Sequence, residues 1–174
     1  MTADKIILNP GDVFATQNPQ GLGKAICAIE AAQAQDGNAQ YGHSGIIQDA
    51  HGKTFEAVWH IAEQNIFDVY KGNNVLIARW QGMNAATFQK GFDAVYPLLG
   101  RTYPYQRLIL HMLGLAKWVH FLDTPVCSEL TAKFLISAGA IELEGKNFWG
   151  VTPNYLVEEW RISKYIDVIF EGIL

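Results

Sequence analysis

Of the side chains able to do covalent chemistry, Cys127 has the most informative surroundings, Asp123-Thr124-Pro125-Val126-Cys127-Ser128-Glu129. The run from Pro125 to Ala138 predicts a helix with Asp123 or Thr124 as N-cap, Pro125 at the first helical position and Gly139 as terminator. Cys127 then lies in its first turn. A thiol there meets the positive end of the helix dipole and unpaired backbone N–H groups, both of which favour the thiolate. Its own amide could serve an oxyanion forming on an attacked carbonyl. The plainer reading is a small core residue that follows a proline. The other cysteine, Cys27, falls inside a predicted Ala-rich helix from Leu22 to Gln35 and reads as a buried structural thiol.

A nucleophilic thiol needs an imidazole to take its proton and a third polar group to hold that imidazole. Among five histidines, His111 and His120 lie in an apolar helical region, His51 in a turn and His60 after a strand. His43 differs, opening a strand in Tyr41-Gly42-His43-Ser44-Gly45, where small neighbours leave room for a substrate. If the hairpin joining the strands His43–Gln48 and Lys53–Trp59 turns about the Ala50–His51 bond, Gly45 faces Glu56 and His43 faces Val58. His43 and Glu56 then share one face at a diagonal spacing of about 7–8 Å, within reach of a Glu and an imidazole. A slip of one residue would separate them, leaving Glu56 an ordinary exposed strand residue.

The elements that must position these groups can be read from pattern. Strands are predicted at Asp12–Thr16, His43–Gln48, Lys53–Trp59, Asn65–Tyr70 and Asn74–Trp80, the middle ones forming an antiparallel meander, with a last strand at Tyr165–Phe170. Helices are predicted at Asn84–Leu99, with Ala85, Phe88, Phe92, Val95 and Leu99 on one stripe, at Tyr105–Val119, and after Thr152-Pro153. Strands and helices are segregated, which favours α+β over a doubly wound parallel sheet. No repeat or linker divides the 174 residues, so one domain is expected from end to end.

Composition narrows the function. With 49% hydrophobic and 17% charged residues the chain is too apolar to be disordered, and a net charge of -4 without a Lys/Arg stripe argues against duplex nucleic acid as partner. Zinc is disfavoured, since neither HExxH nor a His/Cys cluster at ligand spacing occurs. The apolar run Ile6-Ile7-Leu8 is too short for a signal-peptide core of about 7–15 residues. The stretch Leu108–Leu122, broken by His111, Lys117 and His120, falls short of the roughly 20 residues that cross a bilayer. A cytoplasmic protein without a transmembrane segment is expected.

Gly11-Asp12-Val13, Tyr41-Gly42-His43-Ser44-Gly45-Ile46, Phe55-Glu56-Ala57, Gly100-Arg101-Thr102-Tyr103 and Val126-Cys127-Ser128-Glu129-Leu130 occur in that order. Together they resemble the circularly permuted branch of the NlpC-type papain-like cysteine hydrolases, the YiiX-like proteins, over Pro10 to Leu156. In unpermuted relatives the cysteine helix comes before the histidine strand; here the histidine comes first, as in lecithin retinol acyltransferase relatives. The resemblance implies a papain-like α+β fold, an antiparallel sheet or small barrel packed against helices, with the nucleophile at a helix N-terminus. It implies Cys127 as nucleophile, His43 as general base and then acid, Glu56 as the residue orienting His43, and no cofactor. It places Tyr41 near the oxyanion or substrate, Tyr103 and Tyr105 along the cleft, and Glu129 at the helix end or substrate edge.

The expected activity is cleavage of an amide bond, in a cell-wall peptide or an isopeptide, through an acyl-enzyme. Lipid acyl hydrolysis or acyl transfer on the same fold is the neighbouring alternative. Many wall-directed relatives carry an export signal or lipoprotein cysteine; a phage-encoded protein delivered by a holin or tail apparatus would reach the wall without one. A binding module from a different class, using Trp59, Trp80, Trp118, Trp149 and Trp160 for recognition, would keep the scaffold without turnover.

Overall fold

The computed structural model describes residues 6–17, 40–104, 124–140 and 148–174. The predicted helices Leu22–Gln35 and Tyr105–Val119, and with them Cys27 and Tyr105, lie outside the described residues. Six strands form one sheet: β1 (Val13–Thr16), β2 (His43–Ile47), β3 (Lys53–Ala57), β4 (Ile61–Asn65), β5 (Asn74–Trp80) and β6 (Ile166–Ile173). The order across the sheet is β4-β3-β2-β1-β5-β6, and every neighbouring pair is antiparallel. The described helices are α1 (Ile66–Val69), α2 (Ala85–Val95) running into a 3₁₀ turn Tyr96–Leu98, α3 (Cys127–Ala138) and α4 (Pro153–Ile162).

The α+β class and most element positions agree with the pattern in the sequence, and the departures have physical causes. Asn65–Tyr70 is not a strand. The Asn65 side chain accepts from the Phe67 N–H and caps α1, while the strand lies just before it, with Ile61 paired to Ala57 and buried. Nor is the middle of the chain a simple meander. β5 bypasses β4 and pairs with β1, whose residues Val13–Thr16 are all buried and hydrogen-bonded on both edges. Along α2 the 3₁₀ turn advances the phase, so Leu98 is buried and Leu99 exposed, contrary to the stripe expected from an uninterrupted helix.

Alternation along the strands divides the core in two. On one face Ile46, Phe55 and Leu76 pack with Leu130, Phe134 and Leu135 of α3. Each such buried side chain contributes about 1.5–3 kcal/mol relative to exposure. Phe92 of α2 meets Phe55 edge-on at 5.3 Å, and Phe88 meets Phe134 at 6.0 Å, joining both helices to the sheet. On the other face Phe14, Ile47, Ile66, Tyr70 and Ile77 form a second cluster around α1. α3 stops where expected: Gly139 takes φ 92°, and the N–H groups of Gly139 and Ala140 return to the carbonyls of Ile136 and Leu135.

The β2–β3 register carries the most consequence. Gly45 lies opposite Glu56, Ile46 opposite Phe55 and Ile47 opposite Thr54, as the turn position predicts. The ladder ends there, because the chain turns back after Ala57 with Val58 N–H bonded to the His60 carbonyl, so His43 pairs with Thr16 of β1 and the expected His43–Val58 pairing lies beyond the ladder. Gly45 is required by close approach: a Cβ there would sit 2.6 Å from Phe14 Cε1 and 3.0 Å from Glu56 Cβ. Gly45→Ala is expected to destabilise the protein by about 1–3 kcal/mol through overpacking, read as a lower denaturation midpoint in urea.

Candidate active site

His43, Gly45 and Ile47 alternate on one face of β2, and the register puts Glu56 and Thr54 of β3 on that same face. His43 Nε2 lies 2.6 Å from Glu56 Oε2. Both groups are buried, His43 at 2% exposure and Glu56 at 0%. Thr54 Oγ1 donates to Glu56 Oε1 at 2.6 Å, and the Tyr70 hydroxyl donates to Oε2. On its own, burial would push the Glu56 carboxyl up. The hydrogen bond and charge of His43, then the hydroxyls of Thr54 and Tyr70, outweigh burial and hold it below the usual carboxylate range.

The imidazole also lies within electrostatic reach of Cys127. Burial by itself would lower the His43 pKa, but the charge of Cys127 and its hydrogen bond, followed by those of Glu56, raise it to about 10. With Nε2 on Glu56, Nδ1 is the ring nitrogen left for the thiol. Cys127, 3% exposed, is the first residue of α3. The arrangement can therefore keep a proton on His43 in a site shielded from bulk water, where charge acts with little screening.

The start of α3 differs from the expected one. Val126, extended at φ -75° and ψ 174°, is the N-cap in place of Asp123 or Thr124, and Pro125 lies outside the helix. Val126 has no side-chain acceptor, so capping comes from within the helix. The Glu129 carboxylate accepts the Val126 N–H at 3.1 Å and the Gly150 N–H at 2.7 Å. Glu129 thus serves the helix end, one of the two uses implied for it. Ser128 donates to the Val151 carbonyl at 2.6 Å, tying the same turn to the loop before α4.

A further chain of bonds locks α3 to the histidine strand. Thr131 Oγ1 donates to the Cys127 carbonyl at 3.1 Å, which commits its proton; Ser44 Oγ, 3.2 Å away, is then the donor to Thr131. Ser44 adjoins His43, and Thr131 lies one turn beyond Cys127. The start of the cysteine helix is in this way tied to the histidine strand.

The tyrosines implied for substrate contact fall in different settings. The Tyr41 hydroxyl donates to Glu171 Oε1 at 2.8 Å, and its acidity is suppressed first by burial and then by Glu171. Its backbone is clamped by Asn154, whose Oδ1 accepts the N–H groups of Gln40 and Tyr41 and whose Nδ2 donates to the Tyr41 carbonyl. Tyr103 is buried in the same cluster as Cys127, its N–H bonded to the Trp59 carbonyl. Asp12 of the Gly-Asp-Val motif is structural: it takes both Nε and Nη2 of Arg79 and receives the Asn9 N–H. Sequence reasoning missed Thr54 and Tyr70. Thr54 could have been found, being two residues from Glu56 on one strand, but Tyr70 had been assigned to a strand that is a helix.

Neither a family model nor a curated protein sequence matches the chain. Five chains among solved structures do match. One is the crystal structure of metalloprotein YiiX from Escherichia coli O157:H7, of domain family DUF1105. It superposes with a TM-score of 0.68 at 17% identity, covering 97% of this chain and 100% of that one. At this identity the likeness is one of fold, and the fold here is YiiX-like. Among the described residues no helix is long and apolar enough to cross a membrane.

The His43 imidazole ¹⁵N resonances are expected to titrate near pH 10, the imidazolium persisting below that pH and disappearing above it. Glu56→Gln removes two of the causes that raise the His43 pKa, so its midpoint should fall toward the ordinary value near 6.5. An unchanged midpoint in a folded Glu56→Gln protein would contradict the assigned coupling.

Proposed function

We propose that the protein is a cysteine hydrolase that cleaves an amide bond, in a cell-wall peptide or an isopeptide, through an acyl-enzyme, on a circularly permuted papain-like form of the YiiX-like fold. The observation that carries this reading is His43 held between two partners, Cys127 at a helix N-terminus and the carboxylate of Glu56. Such a constellation generates a nucleophile and holds the proton it must later return.

In the proposed mechanism the Cys127 thiolate attacks the substrate carbonyl, forming the S–C bond and moving an electron pair onto oxygen. The N–H groups of the first turn of α3, which lack intrahelical acceptors, include that of Cys127, which would donate to this oxygen. Collapse expels the amine, which takes the proton from His43. The now neutral imidazole removes a proton from water, hydroxide adds to the thioester, and the acid leaves as the thiolate is regenerated. Glu56 holds the ring orientation and stabilises its charged form throughout, without taking up a proton.

The YiiX neighbour is named a metalloprotein. Among the described residues of this chain no group of three His, Cys, Asp or Glu side chains could hold a metal ion. His43 Nε2 is committed to Glu56, and both Asp12 oxygens to Arg79. These residues do not fit a metal centre.

Two measurements test the reading. Iodoacetamide should alkylate Cys127 rapidly at neutral pH, and His43→Ala should slow this by roughly ten-fold or more, in keeping with the weight of a positioned proton acceptor. A rate equal to that of a free thiol and insensitive to His43 would favour a binding module instead. Incubation with purified wall fragments should release new amino termini with the wild type and none with Cys127→Ala. Free fatty acid released from phospholipid would redirect the assignment to an acyl-lipid substrate.

A further inference from the structure

Glu56 buries a charge with none of its surface in contact with solvent, so its donors must come from the protein. Among the described residues it has three: His43 Nε2 and the Tyr70 hydroxyl on Oε2, and the Thr54 hydroxyl on Oε1. Tyr70 is the one that touches both partners of the pair. Besides its bond to Glu56, its ring lies 5.9 Å from the His43 ring at an interplanar angle of 32°. Phe14 closes the group at 6.2 Å from His43 and 5.5 Å from Tyr70. The imidazole is thereby walled by two aromatic rings.

We propose that Tyr70 is a positioning residue for His43: its ring fixes the plane of the imidazole, and its hydroxyl holds the Glu56 oxygen that the imidazole binds, keeping that carboxylate ionised and unable to rotate. The inference deepens the hydrolase reading and rests on it for the role of His43. The local fold is built to deliver this side chain. Asn65 caps α1, the Ile66 N–H bonds to the Gly52 carbonyl in the β2–β3 turn, and the Tyr70 N–H bonds back to the Ile66 carbonyl. One short helix docked on the hairpin that carries His43 and Glu56 therefore brings the phenol beneath them.

The electrostatics around Glu56 leave few other candidates. From β2, His43 is the charged neighbour and the residue directly opposite is Gly45; from β4 the residue opposite is Ala62; from β3 itself comes Thr54; from α3, Cys127 acts through His43. Burial and the charge of Glu56 raise the Tyr70 pKa far above its ordinary value, so the phenol stays protonated and remains a donor.

Tyr70→Phe keeps the ring and deletes only the donor, which separates orientation by packing from control of the carboxylate. The test follows the Glu56 carboxyl ¹³C resonance with pH, assigned by its loss in Glu56→Gln. In Tyr70→Phe the midpoint is expected to rise by about one unit or more, the effect of removing a hydrogen bond to a charged group. Thr54→Val, which strips the other oxygen, should shift the same resonance in the same direction and provides a second variant if Tyr70→Phe folds poorly. A role confined to packing would lower thermal stability and leave the Glu56 midpoint where it is in the wild type, and that result overturns the proposal. The resonance is read on the carboxylate itself, so an unreactive thiol would refute the hydrolase and leave this test standing, whereas an unmoved midpoint with a reactive thiol would refute only the role of Tyr70.

Discussion

A carboxylate sealed from water is the constraint around which the rest of this molecule is arranged. Removing an ion from solvent costs several kcal/mol, and the cost is offset only where hydrogen bonds and opposite charge replace the lost hydration. Glu56 obtains both from three side chains contributed by β2, β3 and the turn after α1. The β2–β3 register meets that requirement by putting Glu56 on the His43 face, and α1 meets it by delivering Tyr70 at a point where the chain could otherwise have continued as a strand. Cys127 and then Glu56 raise the His43 pKa although burial of the ring works against it.

The cysteine helix answers a second problem with similar means. A helix beginning at Cys127 has buried N–H groups and no capping side chain at Val126. Glu129 reaches back to the Val126 N–H and across to Gly150, while Ser128 and Thr131 tie the turn to Val151 and Ser44. A buried first turn tied both to the Gly150–Val151 loop and to Ser44 of β2 is fixed relative to the histidine strand.

Much of this was legible before any coordinates. The turn at Asp49-Ala50-His51-Gly52 and the period of two along each strand were enough to put Glu56 opposite Gly45 on the His43 face, and the terminator Gly139 marked the end of the cysteine helix. Other features were not. Ile66, Phe67 and Val69 suit a strand as well as a helix, and what decides is the Asn65 cap together with docking of Ile66 on the hairpin turn, a contact between separate elements. The cap at Val126 was illegible for a related reason: its acceptor comes from a residue inside the helix, whereas Asp123 and Thr124 carry the usual local signal.

By itself the amino-acid sequence determined the α+β class, the strand that carries the histidine, the helix that carries the thiol, and the register that aligns imidazole with carboxylate. These follow from short-range periodicity and turn chemistry, which act within a few residues. Only the tertiary structure decided that β5 would cross to β1, that Tyr70 would complete the shell around Glu56, and that Thr131 and Ser44 would tie the cysteine helix to the histidine strand. Those outcomes depend on groups distant in the chain meeting where water is excluded, and no local pattern records the buried charge that rewards their meeting.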